Sequence, residues 1–120
     1  MIKQRRAIAE NYDRQLRGLF DDGRLQRRPV MPWASESVWL YTVASREREP
    51  IIRRLRYAGI DARAIWPALH TVPAYAQYAN GEAFPVAEQV AREAFWLPMT
   101  FSPIEIVEIG GLIRDVLSSR

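Results

Sequence analysis

Prolines constrain this chain more than any other residue. In the segment FPVAEQVAREAFWLP (residues 84–98), Pro85 suits the first turn of a helix and Pro98 cannot continue one. Between them Val86, Val90 and Ala94 recur at helical spacing, with Ala87, Ala91 and Phe95 beside them, so the pattern predicts one short helix held between two brackets. A third proline sets the next element. Ser102 is an N-cap, Pro103 takes the first helical position, and Glu105 completes a capping box. Ile106, Ile109, Ile113 and Val116 then form the stripe of a terminal helix. Gly110 and Gly111 interrupt it at a cost of about 1 kcal/mol each, which points to close packing against a neighbour.

The rest of the chain follows the same logic. Ile8, Tyr12, Leu16 and Leu19 share one face of a helix predicted over residues 3–20, which ends at Asp21-Asp22-Gly23. Pro29 and Pro32 make residues 24–32 an irregular or edge-strand connection. The β-branched and aromatic run 37–44 reads as a strand. A second helix over 46–58 has Ser45 as its cap and Ile51, Ile52, Leu55 and Ala58 as its stripe, with Gly59 supplying a left-handed end and Ile60 folding back. Residues 62–66 form a short strand. The connection 67–82 is long enough to be either functional or disordered, and Pro73, Tyr75 and Tyr78 argue for order. The order helix, strand, helix, strand, loop, helix, helix predicts an α+β fold: a short antiparallel sheet packed on one face by about four helices, within one domain over residues 1–120.

Composition narrows the function classes. Forty-eight per cent hydrophobic and 26% charged residues suffice for a core, which excludes global disorder. No apolar run reaches the length of a membrane span. The absence of cysteine removes disulfides and thiolate metal sites and, with no apolar leader at the N-terminus, predicts a cytoplasmic setting. The net charge of +3 raises nucleic-acid binding, but the arginine pairs 5–6, 27–28 and 53–54 are dispersed among acidic residues and form no stripe. Neither a nucleic-acid nor a membrane partner is expected.

Motifs for chemistry are scarce. His70 is the sole histidine, and no carboxylate cluster has metal-ligand spacing. No glycine-rich loop follows a strand, and no serine sits in a nucleophile elbow. Glu47 and Glu49 diverge on a helix and make no acid–base pair. Composition and spacing alone assign no catalytic and no metal-binding residue.

Several segments in order nonetheless resemble a known family. The run RRAIAENYDRQLRGL, the strand WLYTV, IIRRLRYAGIDAR with its glycine turn, WPALHTVPAY, the FP…LP box and SPIEIVEIGGLIRDVL are together similar to the C-terminal small domain of the DegT/StrS (DegT/DnrJ) sugar aminotransferases. These are pyridoxal-phosphate enzymes of fold type I that act on nucleotide-linked keto-sugars. The resemblance covers nearly the whole chain and implies that the FP…LP box is structural, fixing a helix against the sheet. It also implies that Arg63, His70 and Tyr75 border the substrate side of the active site, and that Trp66 and Phe101 meet a neighbouring domain.

For each residue the sequence offers a plainer role as well. Arg63 can pair with Asp61, His70 can be structural, Tyr75 can anchor its loop, and Trp33, Trp39, Trp66 and Trp96 can be core or interface. Glu88 and Arg92 are spaced as an i,i+4 pair.

The chain departs from the family where chemistry begins. A transaminase needs a desolvated lysine to hold its cofactor as a Schiff base. Here Lys3, flanked by arginines near the N-terminus, is the sole lysine. The resemblance therefore implies a fragment or split subunit that binds no cofactor alone and serves a PLP-binding large-domain partner or self-associates. The alternatives are an interaction or regulatory module derived from that domain and, less favoured, a basic nucleic-acid-binding domain.

Overall fold

The computed structural model describes residues 1–100 and 102–119. Its elements are α1 (Ile2–Asp21), β1 (Gln26–Arg27), β2 (Tyr41–Ala44), α2 (Arg48–Tyr57), β3 (Arg63–Ala64), α3 (Pro73–Ala76), α4 (Pro85–Glu93), β4 (Ala94–Leu97) and α5 (Pro103–Ser118). Single 3₁₀ turns flank α3 at Leu69–Thr71 and Gln77–Ala79. The four strands lie in the order β1-β2-β4-β3, and every neighbouring pair is antiparallel.

The core lies between one face of this sheet and the helices α1, α2 and α5. Strand alternation sends Tyr41, Val43, Phe95 and Leu97 into it. They meet Tyr12 and Leu16 from α1, Ile51 and Leu55 from α2, and Ile106, Ile109 and Ile113 from α5, all at the helical spacing the sequence displays. The predicted α+β layering holds, as does the stripe of the first helix. In the second helix Ile51, Ile52 and Leu55 are buried, whereas Ala58 is exposed at the C-cap. In the last, Ile106, Ile109 and Ile113 are buried. At the C-terminal end of α5 the buried residue is Leu117, and Val116 is half-buried. Gly59 (φ +82°) ends α2, and Ile60 donates back to the Leu55 carbonyl at 2.9 Å while burying its side chain.

The FP…LP segment differs from its pattern. The helix stops at Glu93, and residues 94–97 form β4, which pairs with β2 on one side and β3 on the other. Ala94 and Phe95 thus bury themselves in the sheet and not on a helix face. Phe95 opposite Val43 completes a cross-strand pair in the core, a gain that a short run of helix cannot offer. What remains, α4, buries none of its residues: Val86 is 73% exposed and Val90 46% exposed. The helix is held instead at its C-terminal end, where the Arg48 guanidinium donates to the Ala91 carbonyl at 2.5 Å and the Ser45 amide donates to the Glu93 carbonyl at 3.0 Å.

Strand β2 is also shorter than its β-rich sequence. Val38 adopts φ +47°, a left-handed conformation that β-branched residues rarely accept. Arg5 of α1 donates to the carbonyls of Val38 (3.3 Å) and Trp39 (2.7 Å), so a side chain takes acceptors that a longer ladder would have used. The second helix likewise starts at Arg48, with the Ser45 hydroxyl accepting from the Glu47 amide at 3.1 Å.

At the start of α5 the Ser102 hydroxyl accepts from the Glu105 amide at 3.3 Å. The Glu105 carboxylate accepts a hydrogen bond from Thr100, so only half of the capping box forms. The two glycines of α5 part company. A methyl at Gly110 would meet Gln15 of α1 at 3.4 Å, whereas nothing lies within 4 Å of one at Gly111. Close packing explains Gly110 alone. Gly111→Ala is therefore expected to stabilise the fold by about 0.5–1 kcal/mol, a rise of about 4 °C in Tm, with no such gain for Gly110→Ala. Parallel thermal melts of the two variants check this.

Candidate functional site

Twenty-nine positions separate Ala64 in β3 from Ala94 in β4, although the two strands are hydrogen-bonded neighbours. The excursion between them builds a largely apolar hollow. Leu69, His70, Tyr75, Tyr78, Ala79, Phe84 and Ala87 line a groove of about 320 Å³. The first 3₁₀ turn supplies Leu69 and His70, and α3 supplies Tyr75. Phe84 and Ala87 come from the entrance of α4. The imidazole of His70 packs on Phe84 with ring centroids 4.8 Å apart, and its Nε2 lies 3.0 Å from Glu88 Oε1. An apolar hollow with one polar pair at its wall suits a small molecule with a large apolar or ring surface and a single hydrogen-bonding end. Its volume lies at the small end of the usual range.

The predicted residues do not all converge here. His70 and Tyr75 share the groove, the former with a side chain 17% exposed and the latter about half exposed. Arg63 lies elsewhere, in a shallow cleft with Arg56, Gly59, Ile60 and Asp61. Its guanidinium forms a two-pronged hydrogen bond with Asp61, at 2.9 and 3.0 Å, and sits 5.5 Å from the centroid of Trp96. That bond holds the Asp61 carboxyl below the usual carboxylate range and raises the Arg63 guanidinium further. Arg63 thus makes the pair with Asp61 that the sequence offers.

Glu88 also departs from its expected pairing. Its hydrogen bond goes to His70 and not to Arg92 one turn on, because the 3₁₀ turn brings the imidazole against α4. Sequence spacing reveals pairs within a helix but not a partner 18 residues away. Phe84 and Leu69 were likewise missed as groove residues; the unusual length of the 67–82 connection was the available signal.

The tryptophans separate into two groups. Trp96 is half-buried, whereas Trp33, Trp39 and Trp66 are 85%, 68% and 60% exposed, so none of these three belongs to the core. Trp66 stacks on Trp39 with centroids 6.3 Å apart. Phe101, the other expected interface residue, lies outside the described residues.

A polar cleft of about 490 Å³ occurs near Arg24, Ser45, Arg46 and Glu93 and contains none of the predicted residues. Among the described residues no group of three or more His, Cys, Asp or Glu is placed to hold a metal ion. No helix among them is long and apolar enough to cross a membrane.

Comparison with known proteins bears on what such a scaffold is. The chain is similar to the dTDP-3-amino-3,4,6-trideoxy-alpha-D-glucose transaminase of Micromonospora megalomicea subsp. nigra, 37% identical over 104 residues, a match covering 82% of this chain and 27% of that protein. Its fold is similar to that of DesV from S. venezuelae, solved in complex with a ketimine intermediate: TM-score 0.86, 27% identity, 99% of this chain and 32% of that one. The aminotransferase TlmJ from Streptoalloteichus hindustanus gives a TM-score of 0.82 at 28% identity, over 98% of this chain and 32% of that one. The chain thus spans about a third or less of the length of each relative. The sequence profile of the DegT/DnrJ/EryC1/StrS aminotransferases matches residues 1–103, and this chain belongs to that family.

Proposed function

We propose that this chain is the small-domain portion of a PLP-dependent nucleotide-sugar aminotransferase, one domain over residues 1–120, silent alone and completed by a cofactor-binding large domain. The supporting observation is the disparity of coverage: 99% of this chain aligns with only 32% of the S. venezuelae aminotransferase. The residues present do not fit the cofactor. Lys3, the sole lysine, is exposed on the first turn of α1, far from the desolvated setting in which an amine holds an aldehyde as a Schiff base. The cofactor amine would thus come from the partner.

The role left for this chain is to cap and to position. In this reading the groove excursion covers the reacting centre and sheds water from it, which strengthens every polar contact inside. His70, held by Glu88 and Phe84, presents one ring nitrogen in a fixed plane, and the Tyr75 hydroxyl offers a hydrogen bond to a sugar. A cytoplasmic setting goes with this assignment. A second reading, an interaction or regulatory module that engages a full-length relative, draws on the three exposed tryptophans.

The test is reconstitution. The purified chain mixed with PLP is expected to give no Schiff-base absorption band and no amino transfer. Adding a separately produced, cofactor-loaded large domain of the S. venezuelae relative is expected to restore turnover, which His70→Ala lowers about tenfold or more. A Schiff-base band from the chain alone that disappears with Lys3→Ala would overturn the proposal. Binding to the full-length relative without reconstitution would favour the regulatory module.

A further inference from the structure

Although 18 positions separate them, His70 and Glu88 form the polar contact at the groove wall. Three contacts fix the imidazole. Its backbone sits in the 3₁₀ turn, which the Thr71 hydroxyl and amide close onto the Ala68 carbonyl at 2.7 and 2.9 Å. Phe84 packs on the ring, with centroids 4.8 Å apart, and Nε2 lies 3.0 Å from Glu88 Oε1. Turning the ring over would set a carbon against the carboxylate and lose that bond. A carboxylate offers lone pairs only, so the proton of the bond is carried by Nε2. In a neutral imidazole Nδ1 then keeps its lone pair and carries no proton. Among the described residues nothing bonds to Nδ1. Nor is any buried side-chain nitrogen or oxygen among them left without a partner, so Nδ1 reaches solvent.

We propose that Glu88 is a positioning residue: it pins the imidazole proton on Nε2 and makes Nδ1 of His70 an acceptor for a hydroxyl of the substrate's ring. The inference rests on the small-domain reading above and names the group that the groove wall recognises. This wall selects a neutral donor over an anion. A phosphate is held by cationic donors, and among the described residues no arginine or lysine lines the groove. A lone pair on Nδ1 would repel phosphate oxygens but accepts from a hydroxyl. The other polar side chains of the wall are Tyr75 and Tyr78, whose hydroxyls can each donate or accept. The fixed polarity of the wall therefore comes from His70, and through it from Glu88. Leu69, Phe84 and Ala87 complete the lining with apolar surface that suits the carbon face of a ring.

The sole histidine makes the position of this proton directly readable. Long-range proton–nitrogen correlation spectra of the purified chain at pH 8 are expected to show a neutral imidazole protonated at Nε2. Glu88→Ala should admit a measurable share of the Nδ1-protonated form, while Glu88→Gln, which keeps an acceptor oxygen, should retain most of the native pattern. Protonation at Nδ1 in the native chain would overturn the proposal. So would an imidazolium at pH 8, because both nitrogens would then donate. The second arm reads turnover of the chain reconstituted with the cofactor-loaded large domain of the S. venezuelae relative. Glu88→Ala is expected to lower kcat/KM about tenfold and Glu88→Gln by less than about threefold. Glu88→Ala/His70→Ala should fall no further than His70→Ala alone, since Glu88 acts through the imidazole. Losses that multiply in the double variant would mark Glu88 as merely structural and overturn the proposal, leaving the small-domain reading intact. No turnover from the native assembly would end that reading and the substrate role with it, while the spectra still decide where the proton lies.

Discussion

Phe95→Ala is expected to cost about 3–5 kcal/mol, a large share of the roughly 5–15 kcal/mol by which a domain is stable. Phe95 has no exposed surface and lies in β4, opposite Val43 on one side and Ala64 on the other, at the point where all three helices meet the sheet. Truncation leaves a cavity that β-strands on both sides cannot collapse into without breaking their ladders. Urea unfolding monitored by circular dichroism should show a midpoint lowered by about 2–3 M. The neighbouring substitution Trp96→Ala is the control. Trp96 is the larger residue but lies on the uncovered face, so its loss should cost the isolated chain less than half as much. Equal losses at the two positions would mean that both faces of the sheet are packed, contrary to this structure.

A steep loss of stability above pH 10 is the second large effect. Tyr12 is fully buried and donates its hydroxyl to the Pro98 carbonyl at 2.7 Å. Its pKa is raised, first by burial and then by the nearby Glu105 carboxylate. Tyr41 stacks on it at 4.6 Å and donates to Asp13 at 2.7 Å. Burial, this hydrogen bond and the Asp13 charge all raise its pKa, against a smaller opposing effect of Arg27. For both groups the folded pKa exceeds the unfolded one, so the folded state holds protons that the unfolded chain releases. Their contribution is complete below about pH 10, the ordinary tyrosine value, and declines as pH rises through the folded values. With both groups acting, the slope approaches about 2.7 kcal/mol per pH unit. Denaturation midpoints measured from pH 8 to 11 should therefore fall sharply in the native chain. Tyr12→Phe/Tyr41→Phe should start lower and run much flatter. A native profile as flat as that of the double variant would refute the linkage.

Legibility in the sequence tracked the range of the forces involved. The faces of α1, α2 and α5 were readable because an apolar stripe repeats every turn and its burial depends little on which partner covers it. The serine cap of α5 and the glycine end of α2 are local to a few residues and were readable for the same reason. At Phe95 the evidence was ambiguous: helical spacing from Val86 and strand burial both suit an apolar residue there, and pairing with β2 and β3 decided between them. Val38 shows the converse, a β-branched residue taken out of its strand by Arg5 from 33 positions away. The groove was half legible. His70 and Tyr75 stood out in a long connection, but Leu69, Phe84 and the Glu88 partner of His70 emerge only once the 3₁₀ turn meets α4. Arg63 makes the bond to Asp61 two residues away that its sequence neighbourhood offered.

By itself the amino-acid order determined the layered α+β class, the apolar stripes of three helices, the ends marked by glycine and serine, and the family resemblance, because each resides in short-range patterns of side chains. Only the tertiary structure decided that the end of the proline-bracketed box is the strand joining the sheet, that His70 pairs with Glu88, and that Trp39 stacks on Trp66. Those outcomes depend on contacts between residues far apart in the chain, whose free energies are settled when the layers pack and leave no periodic trace beforehand.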